Sequence, residues 1–476
     1  MFWLLMLLLL FVFQTATILV GEFRRPAKTV AWLLVLFIFP IIGFIMYYFL
    51  AKEYSQRKIV RRRTRHKMTD IQRQLRMPGG ASDVGSTSSL CELYSDSRLC
   101  GLLHNIPGSP ITSRNQVTVL TNAEAAYPVM LEAIEQAQSH IHVEFYTIRH
   151  DQIGTKFQEI LIQKAKEGVK VRIIYDGIGS YSLSSSYIKK LRQAGIEVHP
   201  FLPPLIAFFD KRMNYRNHRK IVVVDGQIGF VGGINIGDEY LGKDPKLGFW
   251  RDTHLKLQGD AVYYLQMTFL TDWHFVCGQK LTEDALFPEH GQPDSSLVQM
   301  ISSGPDAQWD SIQEMFFAGI AAAKKRVYMT TPYFIPDGSI AMALKTAAIS
   351  GVDVRIILPY KGDSRIVQYA SRSYLQELMQ AGVRFYLYRK GFIHAKILII
   401  DHMLATVGTA NMDMRSFFSN FELNAVMFDR DIMKRIETDF MQDLKDCEEL
   451  RLVEFEKRSR YEKGKEVIAR LLSPLF

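Results

Sequence analysis

The sequence predicts an α/β protein made of two similar halves, preceded by a hairpin of two membrane-spanning helices. Two apolar stretches stand at the N-terminus, short apolar runs alternate with helical stretches after residue 113, and one motif occurs twice at an offset of 176 residues. The chain has 476 residues, which is more than one hydrophobic core usually serves. We therefore expect two domains and additional segments.

The N-terminal stretches, residues 2–20 and 30–50, are each about the 20 apolar residues that cross a bilayer. A cleaved signal peptide followed by one anchor is the alternative, but the first stretch lacks a basic start and a clear small-residue cleavage site. Eight basic residues follow the second stretch, whereas three stand between the two stretches. Because the more basic side stays inside, we expect a multi-pass protein with both termini and everything after residue 50 in the cytoplasm.

The charge balance indicates an anionic partner. The formal net charge is +9, and 48% of the residues are hydrophobic, as in a folded protein that meets nucleic acid or an acidic membrane. Residues 51–113 are predicted to be a basic juxtamembrane segment and a linker, and the basic part fits anionic headgroups as well as it fits a topology signal. The hairpin favours the membrane, so we expect no nucleic-acid partner.

The duplication extends beyond the motif itself. Each half reads as strand, helix, strand, helix, strand and then motif, with helices whose apolar positions recur at helical spacing. The pattern predicts a mixed sheet between helix layers in each domain, with boundaries at 114–290 and 291–476. The corresponding segments are 140–151 and 326–337, 168–176 and 351–359, and 191–201 and 378–388.

The repeated motif reads NHRKIVVVDGQIGFVGGIN at 217–235 and IHAKILIIDHMLATVGTAN at 393–411. Its His and Lys are two positions apart on a predicted strand, so they share one face at a spacing of about 6–7 Å. The Asp belongs to the candidate catalytic set, but its odd spacing turns it to the opposite face, where it would act as a structural charge. The Asn offers an amide to a phosphate. The candidate residues are His218, Lys220, Asp225 and Asn235 in one copy and His394, Lys396, Asp401 and Asn411 in the other.

Paired histidines and lysines suit phosphodiester transfer. A metal site is a poor interpretation because Lys is not a ligand, and neither a G-x-S-x-G elbow nor a Walker loop is present. Displacing an alcohol from a phosphodiester requires a nucleophile in line with the leaving oxygen and an acid on the far side. One His cannot do both at once, whereas one from each half can. We therefore expect a single shared site that needs no metal or cofactor.

A nucleophilic His must be neutral and oriented, which a carboxylate on its other ring nitrogen achieves. The expected partner within the second half is Glu422, 28 residues after His394. Within the first half it is Asp252, 34 residues after His218. Ser416 is expected to add a hydroxyl near the phosphate.

Both motif copies match in full H-x-K-x4-D-x6-G-[GST]-x-N, the signature of the phospholipase D superfamily, which the chain resembles. Within this superfamily the chain is similar to the bacterial cardiolipin synthases over essentially its whole length. The similar segments are RRPAKTVAWLLVLFIFPIIG, RNHRKIVVVDG, GGINIGDEY, FWRDTHLKLQG, RSFFSNFELNA and RLLSPLF.

The resemblance implies a tandem pair of phospholipase D-like domains with pseudo-twofold symmetry, located in the bacterial inner membrane. It implies phosphatidyl transfer between two phosphatidylglycerol molecules, giving cardiolipin and glycerol through a phosphohistidine. By the same analogy His218 is the nucleophile and His394 the acid and base, although symmetry leaves the reverse open. A phospholipase D-type hydrolase, another phosphatidyltransferase and a nuclease are the alternatives, and the hairpin argues against a nuclease.

Overall fold

The computed structural model describes residues 2–22, 26–47, 96–204, 214–291, 296–307 and 309–473. The basic segment predicted after residue 50 lies outside the described residues. So does the linker up to residue 95. The predictions made for these segments stay predictions.

The N-terminal region forms three helices, α1 (Phe2–Glu22), α2 (Pro26–Ile38) and α3 (Pro40–Met46). The second predicted span is therefore not continuous: it is divided at Phe39, where Pro40 begins a new helix. Proline lacks the N–H that would continue the hydrogen-bond ladder and restricts the residue before it. Among the described helices, none combines the length and apolar character required to cross a membrane.

Part of the predicted linker is folded. Residues 97–112 contain α4 (Ser97–Asn105) and β1 (Ile111–Thr112), and Asp96 begins the helix by accepting hydrogen bonds from two backbone N–H groups. Leu99, Leu103 and Ile111 are buried in the core of the second half. This segment is folded because it contributes apolar side chains to that core. The turn-rich sequence around it gave no sign of this contribution.

The first half is a seven-stranded mixed sheet with the spatial order β2-β10-β8-β7-β3-β4-β5. Val222 and Val224 of β7 pack with the helices of one face, while Ile221 and Val223 point to the other face. Its elements are β2 (Asn115–Thr121), α5 (Asn122–Glu135), β3 (His140–Phe145), α6 (Gln152–Lys166), β4 (Lys170–Asp176), α7 (Ser185–Gln193), β5 (Glu197–Phe201), β6 (Arg216–Asn217), β7 (Lys220–Val224), β8 (Ile228–Gly232), β9 (Phe249–Arg251), β10 (Thr253–Gly259) and α8 (Ala261–Cys277), with 3-10 turns at Asp238–Leu241 and Asp284–Leu286.

The second half repeats this plan in a larger mixed sheet of order β1-β11-β20-β18-β17-β12-β14-β15-β21, with β6 of the first half paired to β20. The order predicted from the sequence, strand and helix alternating up to the motif, is present in both halves. The elements are β11 (Val298–Ser303), α9 (Ser311–Ala322), β12 (Arg326–Thr330), β13 (Phe334–Ile335), α10 (Gly338–Ile349), β14 (Asp353–Pro359), α11 (Arg365–Gln380), β15 (Arg384–Tyr388), β16 (Gly391–Ile393), β17 (Ile397–Ile400), β18 (Leu404–Gly408), β19 (Met412–Asp413), α12 (Met414–Phe418), β20 (Asn420–Met427), α13 (Arg430–Lys445), β21 (Cys447–Glu449), α14 (Leu452–Glu456) and α15 (Arg460–Leu472).

The two halves share a hydrophobic core. One continuous buried cluster contains Ile221 and Leu255 of the first sheet together with Ile397, Ile399 and Leu423 of the second. The halves also exchange backbone pairing, because β6 runs parallel to β20 and β9 runs parallel to β16. Both exchanges involve the residues immediately before a motif histidine, so the packing of the halves determines the surroundings of each histidine.

Candidate active site

The histidine and lysine of each motif lie at the start of a buried strand. His218 lies two residues before β7 and Lys220 begins it, while His394 and Lys396 lie just before β17. All four side chains are buried. Each lysine curls back to the carbonyl oxygen of its own histidine, at 2.7 Å from Lys220 Nζ and 2.5 Å from Lys396 Nζ. Strand alternation therefore places an imidazole and an ammonium on the same face in both halves, as the spacing predicts.

Each histidine is oriented by a carboxylate from the other half of the chain. His218 Nδ1 lies 3.0 Å from Glu422 Oε2, and His394 Nδ1 lies 2.7 Å from Asp252 Oδ2. The sequence-based assignment, which paired each histidine with the carboxylate of its own half, is wrong. The residue types were right, and the partners are exchanged.

The strand exchange explains this arrangement. The backbone N–H of His218 donates to the carbonyl of Phe421 at 2.9 Å, and that of His394 donates to the carbonyl of Arg251 at 2.7 Å. Each histidine is thereby held beside the residue that immediately precedes the carboxylate of the opposite half. The site is consequently formed by both halves together, because each histidine receives its orienting carboxylate from the other domain.

The motif position after the first glycine accommodates the carboxylate. At Gly233 an added Cβ would lie 2.0 Å from Asp252 Oδ1, so only glycine leaves room for that side chain. The second copy has Thr409 there, and its hydroxyl donates to Glu422 Oε2 at 2.5 Å. Asn420 Nδ2 donates to the other oxygen of Glu422 at 3.1 Å. The longer glutamate is therefore held by three side chains.

Burial keeps both histidines neutral. Burial, with Lys220 nearby, lowers the pKa of His218 to about 4, and burial together with Lys396 lowers the pKa of His394 to about 3. Burial opposes ionisation of Glu422, but the neighbouring imidazole, Lys220 and the hydroxyl of Thr409 outweigh it and hold the pKa of that carboxyl at about 2. A neutral imidazole that donates Nδ1–H to an ionised carboxylate keeps the lone pair on Nε2, as a nucleophile requires.

The buried lysines titrate near neutrality. Burial lowers the pKa of Lys220 to about 7 and that of Lys396 to about 8, although Glu422 and Asp252 each raise these values. The charge of Lys396 also lowers the pKa of Lys220, which shows that the two motifs lie within electrostatic reach of one another. An anionic phosphate bound between them would favour the charged form of both.

The two asparagines differ in their contacts. Asn235 has both ends of its amide engaged, since Oδ1 accepts from the N–H of Thr147 at 3.1 Å and Nδ2 donates to Tyr240 at 2.8 Å. Asn411 Oδ1 is buried and has no hydrogen-bond partner in the part of the chain that the structure describes. Ser416 Oγ accepts from the backbone N–H of Asn411 at 3.1 Å, so this hydroxyl supports the asparagine. The role of all three in substrate binding stays a prediction.

The motif aspartates lie behind the site. Asp225 accepts hydrogen bonds from the backbone N–H groups of Gln138, Ser139 and His140 at 2.7–2.8 Å. Asp401 accepts three equivalent bonds from residues 324–326. Both aspartates have positive φ, 52° and 48°, at the turn that ends the motif strand. They tie the end of one strand to the start of its neighbour, in agreement with the structural role that their spacing predicts, and a catalytic role for them stays a prediction.

We expect Asp225→Ala to lower the free energy of unfolding by about 2–4 kcal/mol, because three charge-assisted hydrogen bonds are lost and a left-handed residue is strained. The turnover number of the enzyme that remains folded should not change. Urea unfolding and activity at low temperature measure the two quantities. Asp225→Asn is the control, since it keeps an acceptor and tolerates positive φ. A tenfold loss of turnover in folded enzyme would contradict the structural role.

Aromatic rings beside the histidines were missed in the sequence. The ring of Tyr146 meets that of His218 edge-on at 5.0 Å and lies 5.5 Å from Lys220 Nζ. The ring of Trp250 lies 5.1 Å from that of His394. Tyr146 follows β3 in EFYT, and Trp250 stands two residues before Asp252 in FWRD. Nothing in these segments indicates a contact with a histidine. They form apolar walls that restrict each imidazole.

A buried polar network behind His218 was also missed. Arg219 forms an ion pair with Asp272, and Asn217 donates to Glu144 Oε1. Burial, reinforced by Asp272, raises the pKa of Glu144 well above its usual value, so this carboxyl is neutral. The charge of Arg219 is therefore matched by the charge of Asp272 alone among these four side chains. The second half has apolar or small residues at the corresponding positions: Ile393, Ala395 and Thr330. The signal in the sequence was that polar residues flank His218 but not His394.

Comparison with known families places these features in context. Residues 130–273 and 316–444 match the family described as "Cardiolipin synthase, PLD-like domain". Residues 2–52 match the family described as "Phospholipase D-nuclease N-terminal". The two domain matches contain both motifs and both orienting carboxylates.

Curated relatives match over nearly the whole chain. A cardiolipin synthase of Geobacillus sp. (strain WCH70) is 46% identical over 96% of this chain and 90% of its own length. "Cardiolipin synthase 2" of Bacillus anthracis is 43% identical over 98% of this chain and 91% of its own length. Among solved structures, the phosphatidylserine synthase of Haemophilus influenzae Rd KW20 has a TM-score of 0.61 at 14% identity, covering 80% of this chain and 100% of that chain. That likeness concerns the fold.

Proposed function

This chain belongs to the cardiolipin synthase family of phospholipase D-like proteins, and we propose that its two histidines act together on one phosphodiester, His218 as nucleophile and His394 as acid and base. The protein is a phosphatidyltransferase that makes cardiolipin. Its substrate is phosphatidylglycerol, and its second product is glycerol.

The first step transfers the phosphatidyl group to the enzyme. The Nε2 lone pair of neutral His218 attacks phosphorus, and the bond from phosphorus to the headgroup glycerol oxygen breaks as that oxygen takes a proton from His394. Binding of the anionic phosphodiester balances the charge of Lys396, which otherwise lowers the pKa of His394, so substrate binding favours the protonated form that the step requires. Glycerol leaves, and a phosphohistidine remains.

The second step regenerates the enzyme. The hydroxyl of a second phosphatidylglycerol gives its proton to His394 and attacks phosphorus, and the bond from phosphorus to His218 breaks. Cardiolipin is released with both histidines in their original states. Lys220 and Lys396 stabilise the charge that builds on the non-bridging oxygens. Using water instead of the lipid hydroxyl would give hydrolysis by the same machinery.

The observation that supports this proposal is the exchange of carboxylates. A carboxylate lies at Nδ1 of each histidine, at 3.0 Å and 2.7 Å, and leaves both Nε2 atoms available for reaction. Because each carboxylate comes from the other half, the two histidines belong to one site. A pair of separate sites would not need each half to complete the other. The first half carries the additional polar network behind His218, which fits a more rigid nucleophile.

The function is tested with the full-length protein and phosphatidylglycerol in detergent micelles without added divalent metal. We expect cardiolipin and glycerol in equal amounts, and a phosphoenzyme that is stable in base and labile in acid. Formation of phosphatidic acid without cardiolipin would show that the protein acts as a hydrolase and not as a synthase. Failure to form any phosphoenzyme would reject the histidine mechanism while leaving the family membership intact.

We expect kcat to fall at low pH and KM to rise at high pH. Below about pH 4 His218 is protonated and cannot attack, because its pKa lies at about 4. Above about pH 7–8 the free lysines lose their charge, since burial lowers their pKa values to about 7 and about 8, and the anionic substrate binds less well. Initial rates between pH 3.5 and 9 measure the profile. Lys220→Arg stays charged, so its alkaline limb should move upward; an unmoved limb would contradict the assignment.

We also propose that the N-terminal region holds the enzyme at an anionic membrane, with both termini and the catalytic domains on the cytoplasmic side. Large apolar side chains of α1–α3 are exposed, among them Phe2, Trp3, Val20 and Phe37 at 71–75%. So many exposed large apolar side chains require an apolar environment. The match of residues 2–52 to an N-terminal family supports the same placement. Reporter fusions at each terminus test it, and an external signal from residue 476 would reject it.

A further inference from the structure

The second half contains a pocket of about 170 Å³ that the mechanism above does not use. It lies where β12, β14 and β15 end, which is the edge of an α/β sheet where ligands usually bind. Five large apolar side chains line it: Leu358, Leu375, Leu387, Leu450 and Phe455. Polar residues line it as well, among them Tyr333, Asp363, Gln368 and Arg372.

This pocket opens at the same edge of the sheet as the second motif. Ile397, next to Lys396, pairs with Thr330 at the end of β12, and the chain then passes through Tyr333 on the pocket wall. The hydroxyl of Tyr333 donates to Asp363, whose charge is near enough to Lys396 to raise its pKa. The wall of the pocket that contains Tyr333 and Asp363 therefore lies on the side of Lys396.

The loop after β4 in the first half is held differently from the loop after β14. Where β14 ends in Pro359, β4 ends in Asp176, whose carboxylate accepts from the N–H groups of Ile178 and Gly179 and draws the loop inward. Thr147 Oγ1 donates to the carbonyl of Gly179 at 3.2 Å, which closes the loop against the wall of the site. The two halves are thus alike in catalytic groups and different in the loops beside them.

We propose that this pocket receives one acyl chain of a phosphatidylglycerol whose phosphate lies at Lys396, so that the second half positions one of the two lipids by its hydrocarbon. The inference rests on the proposed function, because it assigns the pocket to a substrate of that site. The five apolar side chains of the lining match a hydrocarbon chain better than they match a glycerol headgroup. The asymmetry gives the two chemically identical substrates different binding positions.

The test compares long-chain and short-chain substrates on enzyme with a filled pocket. Leu387 is partly buried on the pocket wall, so Leu387→Trp should occupy the space that the chain would take. We expect the KM for dioleoyl phosphatidylglycerol to rise at least about tenfold, since a few methylene groups account for such a factor. The KM for dihexanoyl phosphatidylglycerol and kcat for both lipids should stay within about twofold.

Leu450→Trp fills the same pocket from another wall and preserves the test if Leu387→Trp lowers thermal stability. Val453→Trp, a similar change at a side chain that is 66% exposed in α14, is the matched control and should change neither constant. An equal loss with both lipids would assign the pocket to the headgroup, and no loss with either would leave it without a substrate role; both results overturn the proposal. Failure of the histidine mechanism would appear separately, in wild-type enzyme without a phosphoenzyme.

Discussion

His218→Ala and His394→Ala are each expected to reduce cardiolipin synthesis by at least about ten-thousand-fold, because neither histidine can replace the other across the phosphorus atom. The two variants should differ with an activated substrate. Phosphatidyl-p-nitrophenol has a leaving group that departs without a proton, so the acid becomes unnecessary for the first step.

With that substrate, His394→Ala should release one equivalent of p-nitrophenol per enzyme in a burst and then stop, since the second step still requires a base. His218→Ala should release none. Stopped-flow absorbance measures the burst, and acid-labile phosphoenzyme measures its product. A burst from His218→Ala and none from His394→Ala would exchange the two roles. Substantial cardiolipin synthesis by either variant would show that the halves act separately.

Glu422→Gln and Asp252→Asn are the second pair with large expected effects, a loss of about a thousand- to ten-thousand-fold in kcat. An amide in place of either carboxylate favours the wrong tautomer of the histidine that it contacts. Because the partners are exchanged, Glu422→Gln should abolish the p-nitrophenol burst, which depends on His218. Asp252→Asn should keep the burst and lose the second step, which depends on His394.

Thr409→Val is the matched control for this pair. It removes the hydroxyl that donates to Glu422 at 2.5 Å and keeps both the size of the side chain and the carboxylate. We expect a loss of about ten- to hundredfold, which lies between wild type and Glu422→Gln. If Asp252→Asn removed the burst and Glu422→Gln kept it, each carboxylate would serve the histidine of its own half, and the exchanged contacts would not describe the working enzyme.

The motif strands and the chemistry of the site are determined by local sequence. The run after Lys220 is β-branched and apolar, so it forms a buried strand, and alternation along a strand places His218 and Lys220 on one face without any help from the rest of the fold. The same alternation turns Asp225 away. The repeated order of strands and helices gives the two similar halves, because hydrophobic periodicity is a property of neighbouring residues.

Only the tertiary structure decides which carboxylate serves which histidine. His218 and Glu422 are 204 residues apart, and His394 and Asp252 are 142 apart, so their contacts depend on how the two sheets pack. Spacing within each half suggested the opposite pairs, because it carries no information about the exchange of β6 and β9 with strands of the other half. The same holds for the pocket at the end of β14, because its walls come from segments as far apart in the chain as Tyr333, Leu387 and Phe455.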